Sequence, residues 1–175
     1  PSKLSFNGDV AYLNMGLGGN PTVVRAALGG GNAELLGKQL RFTMNGRYEI
    51  AVVADIAAHE AAVNPAGGAV DSNPYGVVAQ PGRTIVADAG ANALIEVLPN
   101  GSTRTFALPA PLTTPFPREA VPTSVAVGPD GALYVGLLTG FPFFQGSASV
   151  LRYESDGSGV STYASGFTAI VEVTF

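Results

Sequence analysis

The feature that most constrains this chain is an internal repeat. The run Pro74-Tyr75-Gly76-Val77-Val78-Ala79-Gln80-Pro81-Gly82-Arg83-Thr84-Ile85-Val86-Ala87 aligns with Pro122-Thr123-Ser124-Val125-Ala126-Val127-Gly128-Pro129-Asp130-Gly131-Ala132-Leu133-Tyr134-Val135, an offset of 48 residues. A further step of 48 reaches Ile170 and places Val173-Thr174-Phe175 where Val125-Ala126-Val127 stands. A second marker keeps nearly the same period. Asn45-Gly46, Asn100-Gly101 and Asp156-Gly157 each divide two β-rich runs. These dipeptides suit tight hairpins because both residues accept positive φ.

Each unit reads as four short strands. In the second they span about 75–79, 84–88, 93–98 and 103–107, and in the third about 122–127, 132–137, 148–153 and 159–164. The first is stretched, with strands at about 3–6, 10–14, 38–44 and 48–54. A four-stranded unit repeating every 40–50 residues predicts an all-β fold of the β-propeller type. About three blades are present, at 3–54, 75–107 and 122–164, with the start of another at 168–175. A sandwich also uses short strands and Gly/Pro turns, but the constant step favours the propeller. The 23 glycines, 13 prolines and 13% charged residues among 175 exclude a helical bundle or coiled coil.

Insertions fall at 16–37 and 55–74. The first opens on the Gly-rich loop Gly16–Pro21 and continues into short helical material around Val23–Leu28 and Ala33–Leu36. Asp55 is placed to cap a brief helix, Ile56–Val63. Strands 75–79 and 122–127 are the most apolar, which predicts them innermost, around the common axis. Ile170–Phe175 repeats the start of the preceding blade and is expected to be an innermost strand as well. Three repeats leave an open arc with two raw edges. The expectation is a single domain over 1–175 that belongs to a larger, six-bladed ring. The missing part comes from the same chain or from another copy.

Charge and composition exclude several functions. A net charge of −4 offers no positive field for a nucleic-acid backbone. No apolar run approaches the length of a transmembrane helix. The absence of cysteine removes disulfides, zinc thiolate sites, iron–sulfur clusters and a cysteine nucleophile.

As a set, several segments resemble the ScyD/ScyE family of propeller proteins. They are Gly16–Pro21, Ala69–Gly76, Val86–Gly90, Val121–Gly131, Leu138–Pro142 and Gly166–Val171. The resemblance runs through nearly the whole chain in order, although family members are about twice as long. It implies an NHL-like propeller located outside the cytoplasm, and it carries no defined reaction.

Four groups of residues are candidates for function. Asp71, Asn73 and Asp88 supply oxygen ligands where loops meet a propeller channel, which suits a hard divalent cation such as calcium. The competing structural reading gives Asp71 and Asn73 to Asx turns and lets Asp88 tie its loop to backbone N–H groups. By register, Asn14 and Gly136 occupy the station of Asp88 in the other units. Phe141, Pro142, Phe143 and Phe144 form an aromatic loop that either recognises a partner or covers a blade end. His59 is the sole histidine and is expected on the surface of the inserted helix. No Gly-x-Ser-x-Gly elbow or His-Glu-x-x-His motif accompanies it. The Gly16–Pro21 loop lacks the ending of a phosphate loop, and Asp130 in Pro129-Asp130-Gly131 reads as a turn residue. The function expected is a non-catalytic binding or scaffold protein. The alternatives are a metal-assisted hydrolase or lactonase and a structural subunit that associates through open edges.

Overall fold

A computed structural model describes residues 3–43, 49–113 and 115–175. Among these residues, twelve strands form three antiparallel sheets, each a meander in chain order. Sheet 1 holds β1 (Leu4–Asn7), β2 (Val10–Asn14), β3 (Lys38–Thr43) and β4 (Glu49–Asp55). Sheet 2 holds β5 (Pro74–Gln80), β6 (Arg83–Asp88), β7 (Ala93–Val97) and β8 (Thr103–Ala107). Sheet 3 holds β9 (Pro122–Val127), β10 (Leu133–Leu137), β11 (Ala148–Tyr153) and β12 (Val160–Phe167). The turns at Asn100-Gly101 and Asp156-Gly157 close hairpins with the glycines at φ 82° and 84°. Asn45-Gly46 lies outside the described residues.

The first strand of each sheet lies toward a common axis. β5 sits between β1 and β9. Its Ala79 N–H donates to the Ser5 hydroxyl at 2.8 Å. On the other side, a Cβ on Gly76 would lie 2.6 Å from the Thr123 carbonyl oxygen. Only glycine allows β5 and β9 to approach this closely.

The two seams between sheets differ near the axis; farther out, Ala54 and Ile56 pack on Val86, Ile95 and Val97 across the seam of sheets 1 and 2. Sheets 2 and 3 meet through Ile85, Ala87 and Leu94 against Val125, Leu133 and Val135, all fully buried. Each of the larger side chains contributes about 1.5–3 kcal/mol by leaving water. Near the axis, sheets 1 and 2 meet through amides and a hydroxyl. Asn14 Nδ2 donates to the Gly76 carbonyl at 3.0 Å, Gln39 Nε2 to Asn14 Oδ1 at 3.4 Å, and the Thr84 hydroxyl to Gln39 Oε1 at 2.9 Å.

Three helices occupy the insertions among the described residues: α1 (Pro21–Leu28), the single turn α2 (Gly30–Ala33), and α3 (Ile56–Val63). Residues 34–36 are turn rather than helix. Asn20 caps α1 through Thr22 N and Val23 N. Asp55 caps α3 by accepting from Ala58 N at 2.9 Å, and it also pairs with Arg25 at 2.9 Å. Among the described residues no helix is long and apolar enough to cross a membrane.

One expectation requires correction. His59 is buried, not on the surface. Its ring nitrogens lie 3.1 Å and 3.0 Å from the hydroxyls of Thr103 and Thr105, so it docks α3 onto β8. Residues 168–175 form no strand. They cross the outer face of sheet 3, where Ile170 N–H donates to the Leu137 carbonyl and Val173 N–H to the Ser124 hydroxyl. The absent side chain of Gly136 makes the room, since a Cβ there would meet Ile170 at 2.6 Å. Ile170 and Val173 pack on Tyr134 there, and the Phe175 ring meets Tyr134 edge to face.

Candidate functional site

A cleft of about 340 Å³ opens where the loops of sheets 2 and 3 meet. Its construction begins at Asp88, the last residue of β6, which is fully buried. One carboxylate oxygen accepts from the Ser72 hydroxyl at 2.7 Å. The other accepts from the backbone N–H of Asn73 at 2.6 Å, Gly90 at 3.2 Å and Ala91 at 3.1 Å. The 71–73 segment is thereby held against the 88–91 turn. A Cβ on Gly90 would lie 2.7 Å from Asp71 Oδ1 and 2.9 Å from Asn73 N, so glycine is required at this crossing.

The Gly-rich loop packs from the other side. Gly18 N–H donates to the Ser72 carbonyl at 2.9 Å, and Leu17 N–H donates to Asn73 Oδ1 at 3.3 Å. These bonds give Gly16–Pro21 a structural task in place of a phosphate. They also occupy the Asn73 amide oxygen.

Across the cleft, Glu119–Val121 extends the pairing of β9 with β10 beyond the strand ends. Thr139 N–H donates to the Ala120 carbonyl at 3.1 Å, and Gly140 N–H to the Glu119 carbonyl at 2.9 Å. Val121, Thr139 and Phe143 all line this wall, with φ of 53°, 68° and 57°. Left-handed backbone costs a β-branched residue about 1–3 kcal/mol, and such strain gathers at functional sites.

Two polar atoms of lining residues have no hydrogen-bond partner among the described residues. They are Thr139 Oγ1, on a fully buried residue, and Asp71 Oδ1. Beside the cleft, Glu60 of α3 is buried and its Oε2 is also unpartnered. Burial pushes the Glu60 carboxyl up, the Asp71 backbone N–H opposes this, and the charges of Asp88 and Asp71 add to the rise. Burial pushes Asp88 up as well, against its four hydrogen bonds.

The sequence candidates separate here. Asp71 and Asn73 line the cleft together with Phe141 and Phe143. Phe141 is 82% exposed and meets Phe143 edge to face at 6.1 Å. Phe144 turns the other way, against Phe116 at 4.9 Å and beneath the Arg118 guanidinium at 5.2 Å. Pro142 joins the two halves of this loop and is exposed. Asp71, Asn73 and Asp88, the calcium ligands expected from sequence, leave few oxygens free of protein donors. A hard cation takes six to eight oxygens, yet Asp88 is saturated by protein donors and Asn73 Oδ1 is taken by Leu17. Among the described residues no three His, Cys, Asp or Glu side chains converge on a point that would hold a metal.

Glu60, Glu119 and Thr139 were not candidates from sequence. For Glu60 the sequence carries no usable signal, since α3 is apolar on every side yet Ala58, Ala61, Ala62 and Val63 are exposed. Nothing local marks Thr139 or Glu119.

No family model and no curated protein matches the chain. Two similar solved structures are both virginiamycin B lyase from Staphylococcus aureus. The selenomethionine-substituted enzyme is 16% identical, with a TM-score of 0.52, over 92% of this chain and 40% of the lyase. A catalytically inactive variant with quinupristin is 16% identical, with a TM-score of 0.51, over 94% of this chain and 42% of the lyase. This chain therefore spans about two fifths of the enzymes it is similar to. At such identity the likeness speaks for the fold alone: an all-β chain whose three four-stranded sheets are arranged as in a β-propeller-like protein.

Proposed function

We propose that this chain is a non-catalytic binding module and that it takes its ligand in the cleft between sheets 2 and 3. The observation that carries the proposal is the pairing of unpartnered polar atoms on Asp71 and Thr139 with an exposed aromatic wall, Phe141 and Phe143, in one cleft. Small-molecule sites combine an apolar surface with a few placed polar groups in this way. A non-catalytic reading is supported by His59 and Asp88, the groups best suited to proton transfer. The first lies between two threonine hydroxyls and the second is saturated by four donors. The competing reading is a metal-assisted hydrolase or lactonase with a cation on Asp71. The test is a fragment screen followed by protein-observed NMR. Fragments that bind should shift the Phe141, Phe143 and Thr139 signals. Turnover of lactone or ester substrates by the purified chain, abolished by Asp71→Asn, would establish the enzyme instead.

A second observation favours a role within a larger assembly. In sheet 1, Leu4, Leu13, Leu40 and Val52 lie in one cross-strand row, and Phe6, Ala11, Phe42 and Ile50 in the next. Alternation places both rows on the face opposite Tyr12, Asn14 and Gln39, which look toward sheet 2. Leu4, Phe6, Ile50 and Val52 are 47%, 54%, 67% and 50% exposed. The proposal is that further β-structure, from the same chain or another copy, covers this face and continues the arc toward a six-bladed ring. The greater length of the similar structures supports it. Membership of the ScyD/ScyE family and a location outside the cytoplasm belong to the same proposal and rest on the sequence resemblance. Association through the open edge of β12 is the remaining alternative.

A further inference from the structure

We infer that the ligand of the cleft between sheets 2 and 3 is an organic cation: an amine or ammonium group on an aromatic or aliphatic body. The inference rests on the reading of this cleft as a binding site and names its ligand class.

Charge is the first argument. The carboxylates lining the cleft belong to Asp71 and Glu119, and no Lys, Arg or His lines it among the described residues. Two more acidic side chains, Glu60 and Asp88, are buried close by. Glu60 feels the charges of both Asp71 and Asp88, so the carboxyls on this side of the cleft form one electrostatic group. Arg118 is next to Glu119 in sequence, but it lines a separate cavity with Phe144. The field in the cleft is therefore negative. It repels anions and concentrates cations.

The second argument is the aromatic wall. Phe141, Phe143 and Tyr75 line the same cleft. The face of an aromatic ring is negative, and it attracts an ammonium group within about 6 Å of the ring centroid, more so as water is excluded. Phe141 and Phe143 meet edge to face at 6.1 Å.

The third argument does not depend on charge. Thr139 is fully buried and its hydroxyl has no partner among the described residues, and Asp71 Oδ1 is in the same condition. A buried polar atom without a partner is costly, and more so when it is charged. The Thr139 hydroxyl can donate or accept, but Asp71 Oδ1 needs a donor, which an N–H group of a bound amine would supply. A neutral hydrocarbon leaves both atoms unsatisfied, and a carboxylate has no donor for Asp71. Acid, aromatic and unpartnered acceptor thus specify the same ligand.

The experiment measures binding of three probes with one aromatic body, by calorimetry and protein-observed NMR at low salt. They are phenethylammonium, 2-phenylethanol and phenylacetate, with calcium chloride as a fourth arm. The expected order is phenethylammonium first, 2-phenylethanol at least tenfold weaker, and phenylacetate without binding. Asp71→Asn should weaken phenethylammonium about tenfold and leave 2-phenylethanol unchanged. Phe141→Ala, which removes an exposed side chain and keeps the fold, should weaken it several-fold. Equal binding of the alcohol and the amine, tighter binding of phenylacetate, or one-to-one displacement of the amine by calcium overturns the cation assignment and leaves the cleft a binding site. Failure of phenethylammonium while other fragments still shift the cleft signals has the same meaning. If no fragment shifts Phe141, Phe143 or Thr139, the binding-site reading itself fails.

Discussion

The Ser72 hydroxyl reaches 2.7 Å to the buried carboxylate of Asp88, sixteen residues later in the chain. This bond, with the three backbone donors on the other oxygen, holds the wall of the cleft. Asp88→Ala leaves all four donors without their acceptor. Breaking a buried, charge-assisted network costs about 3 kcal/mol. Chemical denaturation should show that loss, and the Asn73 and Ala91 amides should lose protection from hydrogen exchange. An unchanged midpoint would show that water or a neighbour replaces the carboxylate.

His59 bridges α3 to two threonines of β8. His59→Ala should lower stability by about 2 kcal/mol, through a lost contact and two hydroxyls left unpaired. Thermal unfolding of the variant measures it. The triple variant that adds Thr103→Val and Thr105→Val should recover part of the loss, because no hydroxyl is then left waiting.

Gly76 marks the closest approach of β5 to β9. Gly76→Ala drives a methyl group into the Thr123 carbonyl, and overpacking of this kind costs about 1–3 kcal/mol. The test is a comparison with Gly82→Ala. At Gly82 a Cβ meets nothing within 4 Å, but φ is +81°. Gly76→Ala should separate the sheets and raise exchange in β9. Gly82→Ala should strain only its own turn.

The pH dependence has a definite sign. Glu60 in the folded chain holds its proton to higher pH than in the unfolded chain. Between the ordinary glutamate value, 4.5, and its raised value, the folded state binds more protons, so stability falls as pH rises through that window. Below 4.5 both states are protonated and the effect vanishes. Glu60→Gln removes this loss. Its melting temperature relative to the wild type should rise from about pH 5 to about pH 8, and a flat difference would contradict the burial of the carboxyl. His59 acts in the other direction. Burial lowers it from 6.5, so protonation of the unfolded chain below that value drains stability.

Within the aromatic loop the phenylalanines divide. Phe141→Ala should leave the melting temperature unchanged, because the ring is 82% exposed. Phe144→Ala removes the edge contact with Phe116 and the ring under Arg118, and should cost about 1–2 kcal/mol. Melting curves of the two variants compare them directly.

The strands of sheets 2 and 3 could be read from sequence because the information is local. Alternating apolar residues, Pro at strand starts and Asn-Gly or Asp-Gly turns lie within a few positions of each other. Asp55 announced α3 for the same reason, since a cap bonds three residues ahead. Of the cleft, Asp71, Asn73, Phe141 and Phe143 stood out as residue types. Their meeting, and the part played by Thr139 and Glu119, depends on how two sheets are placed side by side. The environment of His59 failed for a similar reason: the threonines that receive it lie 44 and 46 residues away.

The contrast between the two seams has a mechanical consequence. Apolar contact has no preferred direction, so sheets 2 and 3 can shift slightly against each other and keep most of their attraction. Hydrogen bonds tolerate no such shift, because a few tenths of an ångström and some tens of degrees end them. The chain Thr84–Gln39–Asn14–Gly76 therefore works as an indexing pin. It lets sheet 1 meet sheet 2 at one height along the axis, while the hydrocarbon seam on the other side supplies cohesion without dictating alignment. A one-residue insertion in β2 should consequently break this alignment, leave sheet 1 held only by the apolar contact of Ala54 and Ile56 with sheet 2, and leave sheets 2 and 3 joined.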